Sequence, residues 1–161
     1  MPNWCNNVLD VKGPKEEVQR FYNENRGVCK RDDGDVNNEL LFSKSFPEPF
    51  KENEIDPSTD KEFDWWNWRI NNWGTKWEPS DPTFDMDENQ ISYFFDTAWS
   101  PPEGWFKKVI KLYPELDFYM TFEEPGMAFK GEAEGDKGKF LYFKCEDMTD
   151  KEMNEALGVE E

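Results

Sequence analysis

Gln90-Ile-Ser-Tyr-Phe-Phe-Asp-Thr-Ala-Trp99 runs straight into Ser100-Pro-Pro-Glu-Gly-Trp-Phe-Lys-Lys-Val-Ile110, and this junction decides the fold. The first half is crowded with aromatic and β-branched residues and predicts a strand. Ser100-Pro-Pro-Glu103 is a helix-start pattern, with Ser100 as cap, proline in the first turn and Glu103 closing the box. Trp105, Phe106, Val109, Ile110 and Tyr113 then recur at helical spacing, and Pro114 stops the helix. Leu116, Phe118, Met120 and Phe122 alternate with polar residues, which predicts a half-buried strand. The unit is strand, helix, strand.

Upstream the same order is read again. Asn3 to Val11 predicts a strand ended by Gly13-Pro14, and residues 14–25 predict an amphipathic helix. That helix has Glu16 and Glu17 in its first turn and Val18, Phe21 and Tyr22 on one face. Arg26 to Asn38 reads as a polar loop, and Glu39 to Phe46 as a short strand closed by Pro47 and Pro49. Two such units in succession predict an α+β chain with a ferredoxin-like split βαβ sheet. It is read as a single domain over 1–161, with a Trp-rich helical insert at about 47–89 between the halves. In the insert, Thr59-x-x-Glu62 has capping-box spacing, and Gly74 is placed to end the helix. Phe63, Trp66, Ile70 and Trp73 form its expected buried stripe, with Trp65 and Trp68 on the flanks. Residues 75–87 read as extended chain broken by Pro79 and Pro82. A C-terminal hairpin over 127–134 and 139–144, turning at Gly135–Gly138, precedes a short helix that Thr149-x-x-Glu152 caps and Gly158 ends.

Hydrophobic residues make up only 36% of the 161, yet aromatics reach 17%, so a few large side chains carry the core and the chain is read as folded. The net charge of −17 lacks the basic footprint that direct binding to nucleic acid requires, and fits either a basic partner or a solvated acidic surface that serves only solubility. Histidine is absent, which removes the Ser–His and Cys–His dyads and the commonest metal ligand. Cys5, Cys29 and Cys145 are odd in number and widely spaced, matching a reducing compartment. No apolar run approaches the ~20 residues of a membrane helix, so no membrane partner is expected and the cytoplasm is the expected location. Gly74-Thr75-Lys76 follows a helix rather than preceding one and reads as a capping turn, not a phosphate loop. Asp85-Met-Asp87-Glu88 lacks the spacing of a calcium loop. No enzyme activity, cofactor or metal is expected.

Two sets of binding residues stand out. Trp68, Arg69, Trp73, Lys76, Trp77 and Trp99 combine flat rings with cations, the usual anchors of interfaces and of base-stacking pockets. Glu123, Glu124, Glu132, Glu134 and Asp136 are the first targets for charge reversal on the expected acidic face.

Four patches in order carry a family resemblance: Met1-Pro-Asn-Trp-Cys-Asn-Asn7, Asn72-Trp-Gly-Thr-Lys-Trp77, Phe95-Asp-Thr-Ala-Trp-Ser-Pro-Pro102 and Glu124-Pro-Gly-Met-Ala-Phe-Lys-Gly131. With these the chain resembles the YubB or Api92-like family of phage- and plasmid-borne proteins with a ferredoxin-like domain. The resemblance implies that fold and a mobile-element origin, and no particular reaction. The combined expectation is a non-enzymatic acidic interaction protein in the bacterial host, a nucleic-acid mimic that inhibits a basic host protein of nucleic-acid-binding or defence type. The alternative is a small-ligand protein that holds a nucleotide signal on the Trp/Arg/Lys cluster.

Overall fold

Period-two burial sets the sheet. In β1 (Trp4–Lys12), Cys5, Asn7, Leu9 and Val11 point inward, while Asn6, Val8, Asp10 and Lys12 keep solvent contact. The computed structural model describes residues 3–29 and 34–158; Met1 and Pro2 of the opening motif and residues 30–33 of the expected loop lie outside them. After β1 come α1 (Lys15–Glu24), β2 (Gly27–Cys29), β3 (Val36–Asn38), α2 (Phe42–Ser45), β4 (Ile55–Asp56), β5 (Lys61–Glu62) and α3 (Trp65–Asn72). The chain then returns as β6 (Ser80–Met86), β7 (Gln90–Ala98), α4 (Glu103–Leu112), β8 (Asp117–Glu124), β9 (Phe129–Asp136), β10 (Lys139–Asp147) and α5 (Asp150–Leu157).

The main sheet has six strands in the order β10-β9-β8-β1-β7-β6, and every neighbouring pair is antiparallel. β7 lies between β1 and β6, and β1 between β8 and β7, so two β-α-β units interleave. This is the ferredoxin-like arrangement, widened by the β9–β10 hairpin. That hairpin turns at Lys137 and Gly138, both at positive φ (52° and 78°), a two-residue turn that suits strand twist.

Several expectations need correcting. Glu39 to Phe46 is not a strand: Leu40 and Leu41 are buried and lead into α2. The Glu78 carboxylate accepts from the Phe42 and Ser43 N–H groups (2.6 and 3.3 Å), a long-range helix start that no local pattern announces. The second strand of the first unit is β6, inside the stretch read as broken chain, so the excursion lies between α1 and β6, within the first β-α-β unit. Pro82 is tolerated there because β6 is an edge strand and its register slips between Ser80 and Thr83. Thr59 and Glu62 do not start α3. They belong to the small β4–β5 hairpin, and Asp64 caps α3 by accepting from Asn67 N–H (3.1 Å).

Both long helices pack on one face of the sheet. From α1, Phe21 meets Tyr93, Tyr113 and Phe118 edge-on, with ring centroids 4.9–6.0 Å apart. From α4, Ile110 sits directly over Gly135 of β9, where a Cβ would overlap it. Phe42, Trp73, Phe95 and Trp105 join the insert to this core. Ser100 does not cap α4; its hydroxyl donates to the Gly74 carbonyl instead. The start of α4 is met by the end of α3, because the Trp73 carbonyl accepts from Gly104 and Trp105 N–H (3.1 and 3.2 Å). Gly74, at φ +97°, ends α3 as its position predicts. The two helix dipoles therefore meet head to tail, a favourable contact. At the C-terminus, Thr149 and Glu152 form the expected capping box of α5, and Gly158 closes it at φ +72°.

Candidate functional site

The sheet's other face remains open. Its outward side chains form cross-strand rows, and none of those in the three central rows is buried. One row reads Tyr142–Glu134–Tyr119–Asp10–Ser92–Asp85 across all six strands. The next, Lys144–Glu132–Thr121–Val8–Phe94–Thr83, puts Val8 beside Phe94 with threonines on either side and Lys144 and Glu132 at one end. The third, Glu146–Lys130–Glu123–Asn6–Asp96–Ser80, carries three carboxylates, as the first does, and one lysine. The face is about 24 Å across, from five inter-strand gaps of about 4.8 Å. Within it a shallow trough of about 750 Å³ runs past Asn6, Val8, Thr121 and Glu132. A smaller hollow of about 310 Å³ shares Asn6 and Val8 and extends to Phe94 and Asp96. A small apolar centre, Val8 with Phe94, inside a charged and polar surround has the layout of a protein interface.

The electrostatics follow from crowding. Tyr119 donates to Glu132 (2.5 Å), and this bond, with some burial, pushes the phenol up to about 12. Tyr142 is raised by burial and by its bond to Glu134, and Lys144 lies 4.9 Å from its ring centre. Ser92 donates to Asp10 (2.6 Å). The neighbouring Asp136 carboxyl holds Asp117 above the usual carboxylate range, and burial with Asp81 does the same for Asp96. At one corner Lys130 bonds Glu152 and lies 3.8 Å from Glu146, which ties α5 to the sheet. These acids are spread along strands, and among the described residues no cluster of three or more His, Cys, Asp or Glu forms a metal site.

Four of the five predicted acids, Glu123, Glu132, Glu134 and Asp136, lie on the open face. Glu124 does not. It points inward at 1% exposure and accepts from Gly126 and Met127 N–H, closing the turn after β8. Strand alternation alone separates Glu124 from Glu123. Asp10, Asp85, Asp96, Val8 and Phe94 went unread as site residues; each has outward parity in its own strand, but only the register between distant strands gathers them.

The aromatic cluster is divided. Trp73 is fully buried and donates through Nε1 to the Phe46 carbonyl (2.8 Å). Trp68 turns inward against Phe46, Phe63 and Trp73, whereas Trp66 and Ile70, expected inside, are 47% and 40% exposed. Because α3 begins at Trp65 and its end is fixed by α4, the helix is rotated from the expected stripe. Arg69 is committed to Glu48 (2.7 Å) and the Lys76 carbonyl (3.2 Å), with Trp65 and Trp73 each 4.9 Å from its guanidinium. Lys76 covers Trp77 at 4.3 Å, and Trp99 stands apart on the turn after β7. The six residues do not form one pocket.

The family model described as "Ferredoxin-like domain in Api92-like protein" matches residues 72–161, from the end of α3 through α5. The chain belongs to this family. The matched segment holds β6 to β10, and β1 completes its sheet from the other end of the sequence. The crystal structure of a protein api92 from Yersinia pseudotuberculosis superposes with a TM-score of 0.60, covering 92% of this chain and 99% of that one at 10% identity. At that identity the likeness is one of fold alone. No curated protein matches the chain. Among the described residues no helix is long and apolar enough to cross a membrane.

Proposed function

We propose that the chain acts by binding and not by catalysis, docking a basic protein surface on the open face of its sheet in the bacterial cytoplasm. The observation that carries this reading is the neighbouring pair Val8 and Phe94, with Thr121 beside it, held between two rows that each carry three carboxylates. Domains that bind RNA on such a sheet stack bases on aromatic side chains there and need positive charge around them. This face has rings in Phe94, Tyr119 and Tyr142, but its three rows set seven carboxylates against two lysines, and one of these, Lys130, is paired with Glu146 and Glu152. Along β9, Glu132, Glu134 and Asp136 follow one another at about 6.8 Å, every second residue of a strand, so the strand displays a regular line of negative charge. The finer reading is imitation of a nucleic-acid backbone, with the carboxylates occupying the basic groove of a host nucleic-acid-binding or defence protein and blocking it.

Removing charge from one row tests this. Asp10→Asn, Asp85→Asn and Glu134→Gln are combined in one chain, and Glu16→Gln, Glu52→Gln and Glu62→Gln in a control of equal charge. Capture of basic proteins from host lysate falls with the row variant, persists with the control, and weakens for the wild type as salt rises. Equal loss in both variants would reduce the effect to total charge and end the proposal.

A further inference from the structure

We infer that Trp99 is an anchor for a guanidinium or ammonium side chain of the basic partner, an inference that rests on the docking role of the open face. Trp99 has φ +69°, a region bulky L residues rarely adopt, and its side chain is 44% exposed. Its own turn and two distant segments hold it there. Its N–H donates to the Asn3 carbonyl (2.9 Å), the Thr75 hydroxyl binds the Ala98 carbonyl (2.9 Å), and the Thr97 hydroxyl binds the Ser100 carbonyl (2.6 Å). Ser100 in turn donates to Gly74. Strain this heavily supported is a mark of function, since a glycine would meet the geometry without it.

Its surroundings say what it takes. Asn3 also lies against Gly126, bringing the Glu124-closed turn alongside, with Ala128 at φ +58° and Met127 59% exposed. Asp96 is three residues before Trp99 in the same chain, and Asp96 and Glu123 flank Asn6 in the acidic row nearest this end of the sheet. The molecule already seats cations on two partly exposed indoles, Arg69 on Trp65 and Lys76 on Trp77. A partly exposed ring at this carboxylate-bearing end of the sheet suits an incoming arginine or lysine.

Binding of a fluorescein-labelled nona-arginine peptide to the full chain, followed by anisotropy at fixed ionic strength, tests the assignment. Trp99→Ala weakens binding about five-fold at unchanged net charge, Trp99→Phe keeps part of it, and Trp66→Ala, which removes an equally exposed indole, changes nothing. Trp99→Gly relieves the backbone strain and still loses affinity, which separates the ring's role from folding. Wild-type affinity in Trp99→Ala and Trp99→Gly, or equal loss in Trp66→Ala, overturns the anchor. The Asp10/Asp85/Glu134 row variant reports on the underlying reading: its unchanged affinity would sink the open face itself, while loss there with Trp99→Ala intact would sink only the anchor.

Discussion

Gly104→Ala is the change that the helix junction forbids. Gly104 is the second residue of α4, and a Cβ built there overlaps the Asn72 carbonyl, a backbone atom that cannot swing away. Overpacking against backbone costs about 2 kcal/mol. Separation of the two helix ends also weakens the bonds from Gly104 and Trp105 N–H to Trp73 O, each worth about 1 kcal/mol. Alanine returns about 1 kcal/mol through its better helix propensity, which leaves a net loss near 3 kcal/mol. For a chain of this size that lowers Tm by about 9 °C. The assay is thermal melting followed by near-ultraviolet circular dichroism, sensitive to the buried Trp73 and Trp105. Gly27→Ala is the control, since a Cβ there meets the movable end of the Lys44 side chain at 2.7 Å and should cost little. Equal melting of Gly104→Ala and the wild type would refute the end-to-end packing of α3 on α4.

The remaining predictions use the same contacts. Trp73→Ala loses about 4 kcal/mol because the ring is fully buried, while Trp66→Ala, nearly half exposed, loses under about 1 kcal/mol; denaturant titration of both variants checks the difference. Glu152 is held down at about 2 by Lys130 and its capping bonds, so its contribution is complete above the ordinary value of 4.5 and is lost as pH falls through 2. In Lys130→Met its NMR titration returns toward the ordinary value, and failure to move would deny the ion pair. Asp117 has the opposite sign: Asp136 raises it, so the charged form opposes folding above the shifted value and is relieved as pH falls through it. Asp117→Asn therefore melts higher than wild type at neutral pH, and the gap closes in mild acid.

Local chemistry made much of this fold legible. The alternation in β1, β7 and β8, the β9–β10 turn and the Thr149 box each lie within a short window, and each appears where the sequence places it. What failed depended on distant partners. Glu78, thirty-six residues beyond Phe42, turns an apparent strand into α2, and Trp73 O replaces Ser100 as the cap of α4. β6 hid behind Pro82, which an edge strand accepts and a central one would not. The site shows the same division. Glu123, Glu132, Glu134 and Asp136 were visible as an acidic run, but Asp10, Asp85 and Asp96 join them only through strand register. The tryptophan cluster misled because spacing along α3 does not reveal its rotation, which α4 determines.

The most direct test is carbodiimide labelling of surface carboxylates, read by mass spectrometry, in the free chain and in its complex with the captured basic partner. Binding on the open face predicts that Asp10, Asp85, Glu123 and Glu134 lose label in the complex while Glu16 and Glu62 stay reactive. Protection of Glu16 and Glu62, with the sheet carboxylates still labelled, would contradict the account.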